Sequence, residues 1–334
     1  MLNDRRRRVL QALVEEYISS ATPVGSKTLV ARYELGCSPA TVRNELSILE
    51  ETGYVVQPHV SAGRLPTDSG YRSFVDDLLE NGSPGYGDEE PPELHHQADE
   101  VDDLMRETSV ALTQLTSCLA VVLAPSISRA RVKRVDLLSM APTRALFVLI
   151  TDSGRVVNRS MELPAATPPE RLAEVERSLN AAFDGKRASE IRPLRAALET
   201  ACAGDALVAL VVDEILDVLE EADRDRLFHV GVPALLAQPE FQDAGRARPL
   251  IEFLEDGIAV LEALSEALGT PDLTVRIGHE NRRAELGNVS IVASNYGAAG
   301  FDGVVGVIGP TRMDYPRAMA AVRRVADGLS EALT

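Results

Sequence analysis

The sequence predicts an α+β fold, and two patterns predict it. Four helical segments and a short hairpin fill the first eighty residues, and strand-like segments bracket a mostly helical stretch in the C-terminal half. A third observation separates the two: residues 81–100, NGSPGYGDEEPPELHHQADE, are rich in Gly, Pro and acid, hold too little apolar content to fold, and read as a linker.

At 334 residues the chain has room for two or three domains. No apolar run approaches the ~20 residues needed to cross a bilayer. An Arg-rich, then amphipathic start is unlike a signal peptide. Cys37, Cys118 and Cys202 are odd in number and far apart, which fits the reducing cytoplasm and neither a disulfide framework nor a zinc cluster. His95 and His96 lack partners at metal-ligand spacing, so no metal and no cofactor are expected.

The net charge of −17 divides unevenly: residues 1–75 carry nine Lys or Arg against eight Asp or Glu, and the remainder is net −18. Contact with a polyanion is therefore confined to the N-terminal region, where Arg5 to Arg8, Lys27, Arg32, Arg43, Arg64 and Arg72 are the available cations.

In order along the chain, Asp4 to Ser20 reads as a first helix with Val9, Leu10, Leu13, Val14, Tyr17 and Ile18 inward. Ala21-Thr22-Pro23-Val24-Gly25 ends it. Ser26 to Tyr33 is a second helix capped by Ser26, followed by the tight turn Glu34–Cys37. Ser38 caps a third, with Pro39 at the position where a missing N–H costs nothing. Val42, Leu46 and Leu49 form its apolar stripe, while Ala40, Thr41, Arg43, Asn44 and Ser47 face outward. Two helices joined by a short turn, the second with a polar outer face, are the grammar of a helix-turn-helix.

Tyr54–Gln57 and Arg64–Pro66 have strand character around the turn Pro58–Gly63, which makes the unit a winged helix-turn-helix followed by a helix from Asp68 to Leu79. Duplex DNA is the expected partner. Arg43 and Asn44 suit guanine and adenine edges, with Thr41 and Ser47 in support and Ser38 and Ala40 on the same surface. Ser26, Lys27 and Arg64 would position the backbone, so Arg64→Ala would weaken binding to all sequences and flatten its salt dependence. Ser61 lies at the wing tip, and His59 there either touches phosphate or is merely solvated.

These residues also carry a resemblance. TPVGSKTLV (22–30), SPATVRNELSILEETGYVVQPHVSAGRLPTDSGYR (38–72), VRIGHEN (275–281) and GVIGPTRMDYPRA (306–318) resemble the HrcA family of heat-inducible transcription repressors, in order and over most of the chain. The resemblance implies a repressor of chaperone operons that binds an inverted-repeat operator as a homodimer and is modulated by the GroEL chaperonin. The alternative is a small-molecule-responsive winged-helix regulator.

Beyond the linker, Val101, Leu104, Thr108, Ala111, Leu115, Leu119 and Val122 predict one long amphipathic helix. Strands are predicted at Val132–Met140, Arg144–Ile150, Arg155–Leu163, Leu273–Ile277, Val289–Ala293 and Val304–Ile308, with a closing helix from Tyr315 to Leu333. This is one α+β domain with an insertion. The resemblance casts it as a GAF-like domain (101–164 and 271–334) carrying an inserted dimerisation domain (165–270). Within the insertion Ala206–Val212 and Phe228–Val232 are strand candidates. Arg246 to Leu268 reads as a helix whose Leu250, Leu254, Gly257, Leu261, Leu264 and Leu268 pack either against a symmetry mate or within their own domain, and the resemblance favours the mate.

No catalytic constellation emerges. Asp213, Asp217 and Glu220 read as a solvated acidic face, and His229 and His279 lack an activating neighbour in sequence. Gly297, Gly300, Gly303, Gly306 and Gly309 recur without the Gly-Lys-Ser/Thr of a phosphate loop and suit a strand closely approached by another backbone. The chain is not expected to be an enzyme.

Overall fold

The computed structural model describes residues 2–81, 101–124, 131–152, 156–187, 190–191, 206–224, 227–265, 273–297 and 303–332. All but the first residue of the predicted linker lies outside them, as do Cys202, Gly300 and Leu268.

The N-terminal unit is built from α1 (Asp4–Ser20), α2 (Ser26–Arg32), α3 (Pro39–Glu51), the two-residue strands β1 (Val55–Val56) and β2 (Leu65–Pro66), and α4 (Asp68–Asn81). Asn3 caps α1 by accepting the Arg6 N–H at 2.9 Å, and Ala21 ends it in the left-handed region. Val9, Leu10, Leu13, Val14, Leu29, Val42, Leu46, Leu49, Phe74 and Val75 fill the core, none more than 3% exposed. The helical stripes read from the sequence are thus the inward faces. One cap differs: Gly25, not Ser26, holds the N-cap position of α2, and Ser26 is buried in its first turn.

β1 and β2 pair antiparallel, and Arg64 bridges to Val24 by two backbone hydrogen bonds of 2.9 Å. A Cβ on Gly63 would stand 2.5 Å from the Val24 carbonyl, so only glycine lets the hairpin press on the α1–α2 connection.

Past α5 (Val101–Thr116) the chain departs from the predicted long helix. Ser117 takes a left-handed φ of 55°, and Leu119–Leu123 is strand β3. Leu119 and Val122 happen to continue the helical period, yet every residue of Leu-Ala-Val-Val-Leu is buried. That is the pattern of a strand covered on both faces.

β3 belongs to a five-stranded antiparallel sheet with β7 (Leu227–Val230), β8 (Thr274–Ile277), β9 (Val289–Tyr296) and β10 (Gly303–Pro310), in the order β7-β3-β10-β9-β8. Alternation sends Ala120, Val122, Val305 and Val307 toward α5 and the closing helix Tyr315–Ala332. Leu119, Val121, Leu123, Val304 and Ile308 face the helices Val232–Leu236, Ala244–Glu255 and Gly257–Ser265 instead. The close approach expected at the glycine series is present: a Cβ on Gly306 would meet the Val292 carbonyl oxygen at 2.6 Å, and one on Gly303 the Tyr296 ring at 2.4 Å.

The remaining strands, β4 (Val132–Ala141), β5 (Arg144–Thr151) and β6 (Val156–Glu162), form a separate three-stranded sheet. Its inner face packs Val135, Phe147 and Leu149 against Leu172, Leu179 and Phe183 of α6 (Pro169–Phe183) and Val211 and Ile215 of α7 (Ala206–Arg224). Asn180 of α6 bonds both the N–H and the carbonyl of Val135, at 2.8 and 2.6 Å, which satisfies the outer edge of β4. The fold is thus mixed α and β with every sheet antiparallel.

Three expectations are corrected here. The excursion from the five-stranded sheet runs between β3 and β7, so 132–162 lies inside it rather than beside 273–310. Ala206–Val212 is helix, while the strand expected near Phe228 is β7. The predicted helix 246–268 is broken at Asp256, whose carboxylate accepts the Ala259 N–H and starts a second helix. Its Leu250, Leu254 and Leu264 are buried in the chain's own core, and a Cβ on Gly257 would touch nothing within 4 Å. Leu250, Leu254 and Leu264 thus pack within their own domain, while the space beside Gly257 is open.

Candidate nucleic-acid interface

α3 carries the surface singled out by sequence. Ser38 caps it, its hydroxyl accepting the Thr41 N–H at 3.2 Å and lying 3.0 Å from the Thr41 hydroxyl. Ala40, Arg43 and Asn44 are exposed, Thr41 and Ser47 half-buried, and the Ser47 hydroxyl donates to the Arg43 carbonyl at 3.1 Å. The side chains of Arg43 and Asn44 have no hydrogen-bond or ionic partner among the described residues, so both are available to an incoming ligand.

The other cations are mostly engaged. Arg6 pairs with Glu45 at 2.9 Å and Arg5 with the same carboxylate at 3.8 Å; Arg7 pairs with Asp77, Arg32 with Glu16 and Arg72 with Glu280. Arg8 donates to the Glu34 carbonyl at 2.6 Å. Among the described residues only Lys27 and Arg43, of the nine basic side chains before residue 76, have no such partner. Glu45 is the signal that sequence reading overlooked: it lies on the buried stripe of α3 beside Leu46, where a carboxylate calls for a cation.

Arg64 is also placed differently from its expected role. Its guanidinium donates twice to Glu50 of α3, at 3.1 and 2.8 Å, and its side chain is only 15% exposed. It fastens the hairpin to α3 rather than projecting from it. Arg64→Ala is therefore expected to lower stability by about 1.5–3 kcal/mol, the range for hydrogen bonds to a charged group. It should leave the salt slope of any DNA binding unaltered, which thermal melts and titrations from 50 to 300 mM salt will check.

His59 and Ser61 are exposed on the turn, and Val60 between them is fully exposed. Gln57 closes that turn by donating to the Val60 and Ala62 carbonyls at 3.0 and 2.9 Å, a role sequence reading did not assign. Lys27 is exposed at the start of α2, whereas Ser26 beside it is 8% exposed and poorly placed to reach a ligand. Burial pushes the Cys118 thiol up to about 11, which keeps it protonated and unreactive near neutral pH.

Residues 102–319 match the family described as the HrcA protein C terminal domain. The chain is also 42% identical over 332 residues to the heat-inducible transcription repressor HrcA of Streptomyces avermitilis, covering 98% of this chain and 97% of that protein. The chain belongs to the HrcA family. The HrcA of Beutenbergia cavernae is 43% identical over 354 residues, covering 100% and 99% of the two chains. A crystal structure described only as a hypothetical protein shares the fold, with a TM-score of 0.68 at 24% identity over 100% of this chain and 99% of its own. The HrcA relatives are named as repressors induced by heat, which sets aside the small-molecule alternative and is consistent with a non-enzyme. No helix among the described residues is long and apolar enough to cross a membrane.

Proposed function

We propose that the chain represses transcription by binding operator DNA through residues 1–80, a winged helix-turn-helix in which α3 enters the major groove and the hairpin lies alongside. The observation that carries this reading is the exposed face of α3. Arg43 and Asn44 project there, unpaired, among the small side chains Ala40, Thr41 and Ser47, so the helix can approach base edges closely. Ser38, His59, Ser61 and Lys27 border that face and suit contacts to the backbone.

The five-stranded sheet with its helices is read as the GAF-like body, and the excursion between β3 and β7 as the inserted dimerisation domain. That assignment moves the insertion's start from 165 to just after β3 and its end from 270 to just before β7. Its support is the outer face of the three-stranded sheet, where Leu138, Met140 and Val156 are 53, 60 and 55% exposed. A twofold dimer presents two copies of α3 about 34 Å apart or a multiple of it, which matches an inverted repeat. GroEL is proposed to sustain the active form in the cytoplasm.

Footprinting of the purified chain on inverted repeats upstream of chaperone operons tests this, with and without GroEL. Protection of both half-sites by two subunits is the expected result. A single subunit protecting the repeat, or no protection at all, would refute it.

A further inference from the structure

The structure brings segments 275–281 and 306–318 against the N-terminal unit, on α4 and the end of α1. His279 uses its backbone N–H and Nδ1 on one oxygen of Asp68, at 2.9 and 2.7 Å. Arg72 of α4 forks onto Glu280, with Nε 2.7 Å from Oε1, and donates to the Val275 carbonyl at 2.6 Å. Arg312 reaches the Ile18 carbonyl at the end of α1, and the Tyr71 and Tyr315 rings pack 5.8 Å apart.

Gly278 adds a steric condition. Its φ is +50°, and a Cβ there would lie 2.3 Å from the Asp68 carboxylate, so the contact exists only because the residue is glycine. Charged, forked hydrogen bonds fix direction as well as distance. All these contacts fall on α4 and the end of α1, and Arg43 and Asn44 remain exposed with the unit docked.

We infer that Asp68 and Arg72, seated on Gly278, His279 and Glu280, are positioning residues that hold the DNA-reading unit at one angle to the body and thereby set the half-site spacing the dimer accepts. The inference rests on the proposed DNA-binding function. A rigid pair of heads gains effective concentration only at the matching separation, whereas tethered heads tolerate several. Heads held at a fixed angle would also lose the second half-site when it rotates to the opposite face of the duplex.

The test uses duplexes bearing the footprinted repeat, the same repeat with five base pairs inserted at its centre (about half a helical turn), and one half-site alone. The unaltered chain is expected to lose about 100-fold in affinity on the expanded repeat. The near-isosteric double variant Asp68→Asn, Glu280→Gln should lose about tenfold or less there, while half-site affinity stays within about twofold of the original. Gly278→Ala reaches the same contact from the body, leaves the DNA-binding unit's own sequence intact, and should give the same flattened dependence. If both variants keep the 100-fold penalty, or bind the native spacing more tightly than the unaltered chain, docking does not set spacing. Failure of the unaltered chain on every duplex would refute DNA binding itself and this inference with it.

Discussion

Asn44→Ala should cost roughly 1–3 kcal/mol at each half-site of the operator, the value of one good contact to a base edge, while binding to random DNA is nearly unchanged. The expected selectivity comes from what Asn44 does not do in the free protein. It is exposed on α3 and its side chain holds nothing in place, so its loss leaves no orphaned group. Alanine is also the better helix former, so the melting temperature should hold or rise slightly. Competitive gel shifts against operator and random duplexes check it. Equal loss on both would make Asn44 a backbone-positioning residue.

The second large effect is expected far from DNA. Phe147 is fully buried in β5 between the three-stranded sheet and helices α6 and α7, and Phe147→Ala should destabilise that unit by about 3–5 kcal/mol. Calorimetry should show part of the unfolding moved to lower temperature. If this unit joins the two subunits, sedimentation should show the dimer weakening in parallel. A dimer as tight as the original, with the unit unfolded, would place the twofold contact elsewhere.

Legibility in the sequence followed the range of the interactions. The helices of the first eighty residues are set by local signals: Ser38 and Pro39 start α3, and Val42, Leu46 and Leu49 choose its inner face. The exposure of Arg43 and Asn44 follows from the same period. Readings failed where a distant partner decides. Strand character in 132–162 says nothing of which sheet receives it, and β3 looked helical because a strand buried on both faces has no alternation to display. Arg64, expected to face phosphate, is held by Glu50, fourteen residues away. The leucines of 250–264 have spacing that fits a partner helix or a domestic core equally well, and only the sheet beneath them decides.

The order β7-β3-β10-β9-β8 bears on how the chain is made. Its middle member is the last strand to be synthesised, so two half-sheets, β7-β3 and β9-β8, must wait with apolar edges unpaired until residue 310 emerges. Assembly dominated by such long-range pairing is slow, and the waiting edges are prone to stick to other chains. A chain of this design is therefore expected to be most prone to aggregation before residue 310 has been made, and to gain protection all at once when β10 closes the sheet.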